Sequence, residues 1–195
     1  MRNCTLQRNT KETKIDLSVE IDGRGNAEIS TGIAFFDHML DLLTRHSKID
    51  LKVKCLGDID VDGHHTVEDV GIVLGKAIAK AMGDKKGINR YASCRVPMDE
   101  ALVSCDMDIS GRPYLMFNAQ FNSPKVGGYE TALTEEFFRA LAFNSQITLH
   151  INCEYGKNDH HVIEAVFKSF ARAFREAVRI DKEYSGEIPS TKGLL

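Results

Sequence analysis

Polar and apolar residues alternate in two similar stretches of the chain. In 12–24 (ETKIDLSVEIDGR) and 100–112 (EALVSCDMDISGR), apolar side chains recur at about every second residue, and both stretches end in Gly-Arg. This period is typical of a strand that buries one face. The two stretches align at an offset of 88 residues, so the chain contains an internal repeat.

A helical period follows in both copies. Residues 35–55 align with 133–153, each predicting a helix and then a strand, and 64–83 align with 160–179. In the last pair the apolar positions have the i, i+3, i+4, i+7 spacing of a packed helix. These positions are Val67, Val70, Gly71, Leu74, Ile78 and Ala81 in the first copy, and Ile163, Val166, Phe167, Phe170, Phe174 and Ala177 in the second. Each half therefore predicts the order strand, strand, helix, strand, helix.

The pattern predicts an α+β fold of two duplicated halves, each a small mixed sheet with two helices on one face. We expect one domain over 1–195, with repeat 1 at about 1–84 and repeat 2 at about 85–180. The turn-like stretch 83–87 (GDKKG) marks the boundary. A tail over 181–195 contains Gly, Pro and Ser without a period and is expected to be extended.

Composition narrows the possible partners and the compartment. A net charge of −3 argues against a nucleic-acid partner, and no apolar run is long enough to span a membrane. The five cysteines form no C-x-x-C pair, and no apolar stretch follows the first residues as in a secretory signal. These features predict free thiols and a cytoplasmic protein. Cys55, Cys105 and Cys153 lie in strand-like runs and are expected in the core.

Four of the seven histidines form two adjacent pairs at the predicted helix starts, and each pair has a glutamate four residues after its first member. The motifs are His64-His65-x-x-Glu68 and His160-His161-x-x-Glu164. Residues i and i+4 share one helix face, so each glutamate and its first histidine can hold one cation. The second histidine points roughly 100° away and can reach another ion. The pattern predicts two metal ions, each served by both helices.

The repeat adds two ligand candidates, since His38 aligns with Glu136. One consistent sharing assigns His38, His65, His160 and Glu164 to one ion and His64, Glu68, Glu136 and His161 to the other. Imidazole and carboxylate ligands without thiolate suit Mn, Fe, Zn or Co better than Ca or Mg. Helix capping is the alternative, because Asp62 and Asp159 precede the helix starts and Glu suits a first turn. Capping explains the two glutamates but not two aligned histidine pairs.

The motifs also carry a family resemblance. The segments 36–39 (FDHM), 62–69 (DGHHTVED) and 157–165 (KNDHHVIEA), together with Arg90, 110–113 (SGRP) and 189–193 (PSTKG), resemble imidazoleglycerol-phosphate dehydratases over essentially the whole chain. The resemblance implies a ribosomal protein S5 domain 2-like fold, two manganese ions per active site, and a homo-oligomer of twenty-four subunits with sites between subunits. The implied reaction is dehydration of imidazole glycerol phosphate to imidazole acetol phosphate in histidine biosynthesis, through an imidazolate or diazafulvene-type intermediate. Glu136 departs from the histidine that is common in the family.

The spacing and the resemblance together define three overlapping groups of expected site residues. The catalytic group is Glu12, His64 and Glu164. The metal ligands are His38, His64, His65, Glu68, Glu136, His160, His161 and Glu164. The substrate-binding group is Glu12, His38, His46, His64, His65, Glu68, Arg90, Arg112, His160, His161, Glu164, Lys168, Ser190, Thr191 and Lys192. Glu100, the repeat partner of Glu12, is expected to be structural, and His150 is expected at the surface.

Two other functions use the same residue types. A two-metal phosphatase or hydrolase would also need His and carboxylate ligands with phosphate-binding arginines, but it would release phosphate. A non-catalytic metal-binding assembly protein would need the ligands but neither Glu12 nor the basic residues.

Overall fold

The computed structural model describes residues 1–184 and 186–195. The first half contains β1 (Asn3–Asn9), β2 (Thr13–Glu20), β3 (Ala27–Ser30), α1 (Ala34–Ser47), β4 (Asp50–Gly57) and α2 (His64–Met82). The second half contains β5 (Tyr91–Met98), β6 (Ala101–Asp108), β7 (Tyr114–Asn118), β8 (Lys125–Val126), β9 (Tyr129–Glu130), α3 (Leu133–Ser145), β10 (Thr148–Tyr155) and α4 (Asp159–Ala177).

Both halves contain a four-stranded mixed sheet with the same topology. The strand orders are β1-β2-β4-β3 and β5-β6-β10-β7, and in each sheet only the last pair is parallel. The predicted α+β class with duplicated halves is confirmed. The predicted order omitted β3 and β7, because strands of four and five residues are too short to display a clear period. The short β8-β9 hairpin was also not predicted.

The helices connect the two halves. α1 and α2 pack on the first sheet, α3 and α4 pack on the second, and α2 contacts α3 while α1 contacts α4. The approach of α2 to α3 is close, since a Cβ on Gly71 would lie 2.8 Å from the carbonyl oxygen of Phe137 and one on Gly75 would lie 2.7 Å from that of Leu141. The contact between α1 and α4 matters for function, because it brings residues far apart in sequence to one place.

The core follows the predicted pattern with two corrections. All apolar positions assigned to the helical stripes of α2 and α4 are buried. Cys55 and Cys105 are buried as expected, but Cys153 is only partly buried. The start of α4 is also corrected, because Asp159 is its first residue and Asn158 is the N-cap that accepts the backbone N–H of His160. No helix in the described ranges combines the length and apolarity that a bilayer crossing requires.

Candidate functional site

A buried glutamate forms the centre of one cluster. Glu164 lies on the second turn of α4, one helical turn after His160, and is 6% exposed. His38 reaches it from α1, because α1 and α4 pack together. The Nε2 atoms of His38 and His160 each lie 3.1 Å from Glu164 Oε1, and the Lys168 ammonium donates to Oε2 at 2.5 Å.

This cluster can hold a cation. One ligand atom from each of His38, His160 and Glu164 lies within 4.8 Å of the others. Within residues 1–184 and 186–195 this is the only group of three or more potential ligands that meets this condition. Two imidazoles and one carboxylate form a donor set that suits Mn, Fe, Zn or Co. The ring centroids of Phe35 and His160 are 5.1 Å apart in an edge-to-face arrangement, so Phe35 provides an apolar wall.

Glu164 keeps its negative charge although it is buried. Burial acts to raise its pKa, but hydrogen bonds from Lys168, His38 and His160 lower the pKa to about 2. A buried carboxylate that remains ionised in contact with two imidazoles is suited to binding a cation.

The histidine pair of the first half lies in a second cluster. His64 Nε2 and Glu68 Oε2 are 3.7 Å apart on the first turn and a half of α2, as the i, i+4 spacing predicts. His65 Nδ1 lies 3.0 Å from Asp58, and this hydrogen bond raises the pKa of His65. The other ring nitrogen, Nε2, lies 3.8 Å from Glu12 Oε1. Asp58 therefore orients the ring and leaves Nε2 directed toward Glu12.

The corresponding histidine of the second half has a carboxylate partner from a different element. His161 Nδ1 lies 2.7 Å from Glu100, in the turn between β5 and β6. Glu100 also accepts the backbone N–H groups of Lys157 and Asn158, and the hydrogen bond from His161 is the main reason that its pKa is lowered to about 2. Glu100, which was expected to be structural, thus orients a predicted ligand.

Neither of the two predicted four-residue metal sets is gathered within one chain. In the first set, His38, His160 and Glu164 lie together, but His65 does not join them. His65 lies beside Asp58 and Glu12 instead. In the second set, His64 and Glu68 are neighbours, but Glu136 lies 3.7 Å from Arg139. His161 of that set contacts Glu100. One chain thus presents two partial sets.

The basic residues also separate into two groups. Arg90 donates to Asp108 at 2.7 Å and to the carbonyl oxygen of Pro189 at 2.8 Å, and Arg112 lies 3.6 Å from Asp108. The end of the tail lies on Gly111, where an added Cβ would be 2.7 Å from the Leu195 carbonyl carbon. The tail residues Ser190, Thr191 and Lys192 therefore follow directly after a carbonyl held by Arg90.

The second basic group lies beside Glu164. Lys168 is bonded to Glu164, and it is one of the cations that lower the pKa of His46, after the larger effect of burial. Among the described residues no hydrogen bond or ion pair joins Lys168 or His46 to Arg90, Arg112 or the tail. His150, predicted at the surface, is exposed on β10.

Comparisons with known proteins identify the family. The family model described as imidazoleglycerol-phosphate dehydratase matches residues 31–174. A relative of that name from Lactococcus lactis subsp. lactis is 60% identical over 97% of both chains, and one from Alkaliphilus metalliredigens is 58% identical over 100% of this chain and 99% of its own. A crystal structure of the Staphylococcus aureus enzyme superposes with a TM-score of 0.84 at 42% identity, covering 92% of this chain and 99% of that chain. The chain belongs to the imidazoleglycerol-phosphate dehydratase family.

Membership in this dehydratase family decides between the functions that the sequence left open. It supports a hydro-lyase and does not favour the two-metal hydrolase.

The sequence pattern gave no orienting role to Asp58 or Glu100 in this candidate dehydratase site. Each is the carboxylate that orients a histidine of a His-His motif through Nδ1. Glu100 could have been found from its alignment with Glu12. No pattern indicates Asp58, since it follows a strand in a run of acidic residues.

We expect Asp58→Asn and Glu100→Gln each to weaken manganese binding about 10–100-fold, the usual effect of losing a carboxylate that orients a ligating histidine. Isothermal titration of metal-stripped protein measures this change. Glu130→Gln is a matched control, since among the described residues the ion pair of its carboxylate is with the surface Lys125. Unchanged affinity in both variants would contradict the orienting role.

Proposed function

We propose that this protein removes water from imidazole glycerol phosphate to form imidazole acetol phosphate, a step of histidine biosynthesis. The observation that carries the proposal is the ionised, buried Glu164 between His38 and His160, in a chain of the dehydratase family. The free state of all five cysteines agrees with a cytoplasmic location, which is also part of the proposal.

We propose two manganese ions per active site. His38, His160 and Glu164 would belong to one ion, and His64 with Glu68 would belong to the other. His65, His161 and Glu136 would complete the two sets from neighbouring copies of the chain. When bound, the ions would act as Lewis acids on the imidazole ring and hold the substrate in place.

The chemistry requires proton movement at an unactivated carbon. The hydroxyl next to the ring leaves as water, and the neighbouring carbon loses its hydrogen. The resulting enol takes up a proton on the carbon next to the ring and becomes the ketone. Glu12 is the proposed group that moves the proton, because its carboxylate lies 3.8 Å from His65 Nε2 and its side chain is half-exposed.

The phosphate would be bound by the two basic groups together. Arg90 and Arg112 offer guanidinium donors that suit phosphate oxygens, and Ser190, Thr191 and Lys192 lie on the adjacent tail. His46 and Lys168 lie on the side of the site that contains Glu164.

The backbone of Arg90 is held in an uncommon conformation. Arg90 has a positive φ of 69°, which is uncommon for a residue with a side chain. Its backbone N–H donates to Ala177 and its carbonyl accepts from Ile109, so the strained arginine is fixed between α4 and β6.

We propose that complete sites form between copies in a homo-oligomer, with twenty-four subunits as the expected assembly. The partial metal sets and the two separate basic groups of one chain support this proposal. Coupling between metal binding and association follows, because ions shared between chains stabilise only the assembled state.

Removal of metal is therefore expected to abolish turnover and to shift the protein to smaller species. Light scattering and ketone formation, measured before chelation, after it and after manganese is restored, check this expectation. The control is the same chelator saturated with manganese before use. Intact oligomers after complete metal removal would contradict sites shared between subunits, and undiminished turnover would contradict the metal-dependent function.

A further inference from the structure

A buried carboxylate outside the proposed ligand set connects α2 to the first two strands. Asp69 is 5% exposed and lies one residue after Glu68. The Arg8 guanidinium donates to Asp69 Oδ1 through Nε at 3.1 Å and Nη2 at 2.8 Å. The Thr13 hydroxyl donates to Asp69 Oδ2 at 2.5 Å.

From Thr13 the hydrogen bonds continue to the backbone of Glu12. The hydroxyl of Thr10 lies 3.3 Å from that of Thr13 and accepts the backbone N–H groups of Glu12 at 3.1 Å and of Thr13 at 2.9 Å. The Glu12 carbonyl accepts the backbone N–H of Asp58 at 3.1 Å. The backbone of Glu12 is thus fixed on both sides, by the network that ends on Asp69 and by the residue that orients His65.

The second half packs the same elements without these polar groups. At matching positions, Arg8 corresponds to Val96, Thr13 to Ala101 and Asp69 to Ala165. Ala101 and Ala165 are 1% and 0% exposed. Apolar packing therefore suffices to join such a hairpin to such a helix, and a buried ion pair is not by itself worth more than apolar packing.

The two aligned glutamates are held in different ways. The Glu100 carboxylate is held directly by His161 and by two backbone N–H groups. Within the described residues the Glu12 carboxylate accepts no hydrogen bond, and His65 Nε2 at 3.8 Å is its nearest ionic neighbour. A carboxylate that must exchange protons is better positioned through its backbone, because its oxygens stay free.

We propose that Asp69 is a positioning residue that holds Glu12 at the reacting carbons, acting through Thr13 and Thr10 with Arg8 as its counter-ion. This inference rests on the proposed function, since it assumes that Glu12 moves the proton.

The test is the triple variant Arg8→Val/Thr13→Ala/Asp69→Ala. It replaces the three polar residues of the first half by the apolar residues that occupy the matching positions of the second half. We expect it to fold, to bind manganese as the wild type does and to keep its KM within about threefold, while kcat falls about 100-fold, the effect of a misplacement of about 1 Å. The control is Arg2→Ala/Asp22→Ala, which removes an ion pair at the opposite end of the same hairpin and should leave kcat unchanged.

A double-mutant cycle separates positioning from general weakening of the fold. If the network acts through Glu12, Glu12→Gln should lower the kcat of the triple variant much less than it lowers the kcat of the wild type. Fully additive losses would overturn the proposal, and so would wild-type kcat in the triple variant. Absence of turnover in the wild type would instead contradict the proposed function.

Single substitutions decide the matter if the triple variant does not fold. Thr13→Val removes the hydroxyl but keeps the shape, and we expect its kcat to fall about tenfold with KM and metal content retained. Thr13→Ser keeps the hydroxyl, and its kcat should be near the wild-type value. Equal kcat in the two variants would overturn the role of the network.

Discussion

Glu12→Gln is expected to lower kcat by about 10²- to 10⁴-fold, the range that a positioned acid–base group contributes. The amide has nearly the same shape but cannot accept and return a proton. Because Glu12 is not among the proposed metal ligands, both ions should remain bound and the assembly should remain intact. Steady-state kinetics of ketone formation, with metal content measured on the same sample, check this result.

The matched control for Glu12→Gln is Glu28→Gln, which changes an exposed glutamate of the same half whose ion pair, among the residues that the structure describes, is with Lys52. Its kcat should equal that of the wild type. A Glu12→Gln protein with full metal content and wild-type kcat would remove Glu12 from the mechanism. A non-catalytic metal-binding assembly would give no turnover with either variant.

Glu164→Gln is expected to lose one of the two ions and to reduce activity at least about 10³-fold, since the ions supply the main electrostatic stabilisation in such a site. The amide removes the negative charge that His38, His160 and Lys168 all contact. Lys168, which is largely buried, would also lose its counter-ion. Elemental analysis of the purified variant and its kcat measure the two effects.

Glu176→Gln is the control on the same helix, because that glutamate is exposed and pairs with Arg179. It should keep both ions and full activity. If Glu164→Gln retains two ions per chain, Glu164 is not a ligand and the candidate metal centre must be assigned again.

Local periodicity predicted much of the fold. The helical stripes and the i, i+4 spacing of His160 with Glu164 depend on residues that are close in sequence, and the repeat becomes visible when the two halves are aligned. β3 and β7 were not predicted, because short edge strands depend on pairing with β4 and β10 rather than on their own pattern. Pairing between strands cannot be inferred from a short stretch of sequence.

The site was predicted only where ligands are neighbours in sequence or aligned in the repeat. The repeat led to the assignment of His38 to the same ion as His160 and Glu164, but the contact itself joins residues 126 positions apart and depends on the packing of α1 against α4. The roles of Asp58 and Asp69 arise in the same way, from contacts between elements. Their carboxylates look like ordinary surface charges in the sequence.

The proposed division of ligands between chains could not be derived from spacing. Helix geometry correctly indicates that adjacent histidines face different directions. It does not say whether the second direction leads to another residue of the same chain or to a neighbouring copy. Glu136 illustrates the difficulty, because within one chain it contacts Arg139, and its role as a ligand remains a prediction.

The most direct measurement is the reaction of manganese-loaded protein with imidazole glycerol phosphate in deuterium oxide, followed by proton and phosphorus NMR. We expect the substrate to be replaced by an equal amount of ketone. The ketone should still carry its phosphate ester and should have a new hydrogen on the carbon next to the ring, which is deuterium where the Glu12 carboxyl has exchanged with the solvent. Release of inorganic phosphate without ketone, or no turnover with both ions bound, would contradict the assignment as a dehydratase.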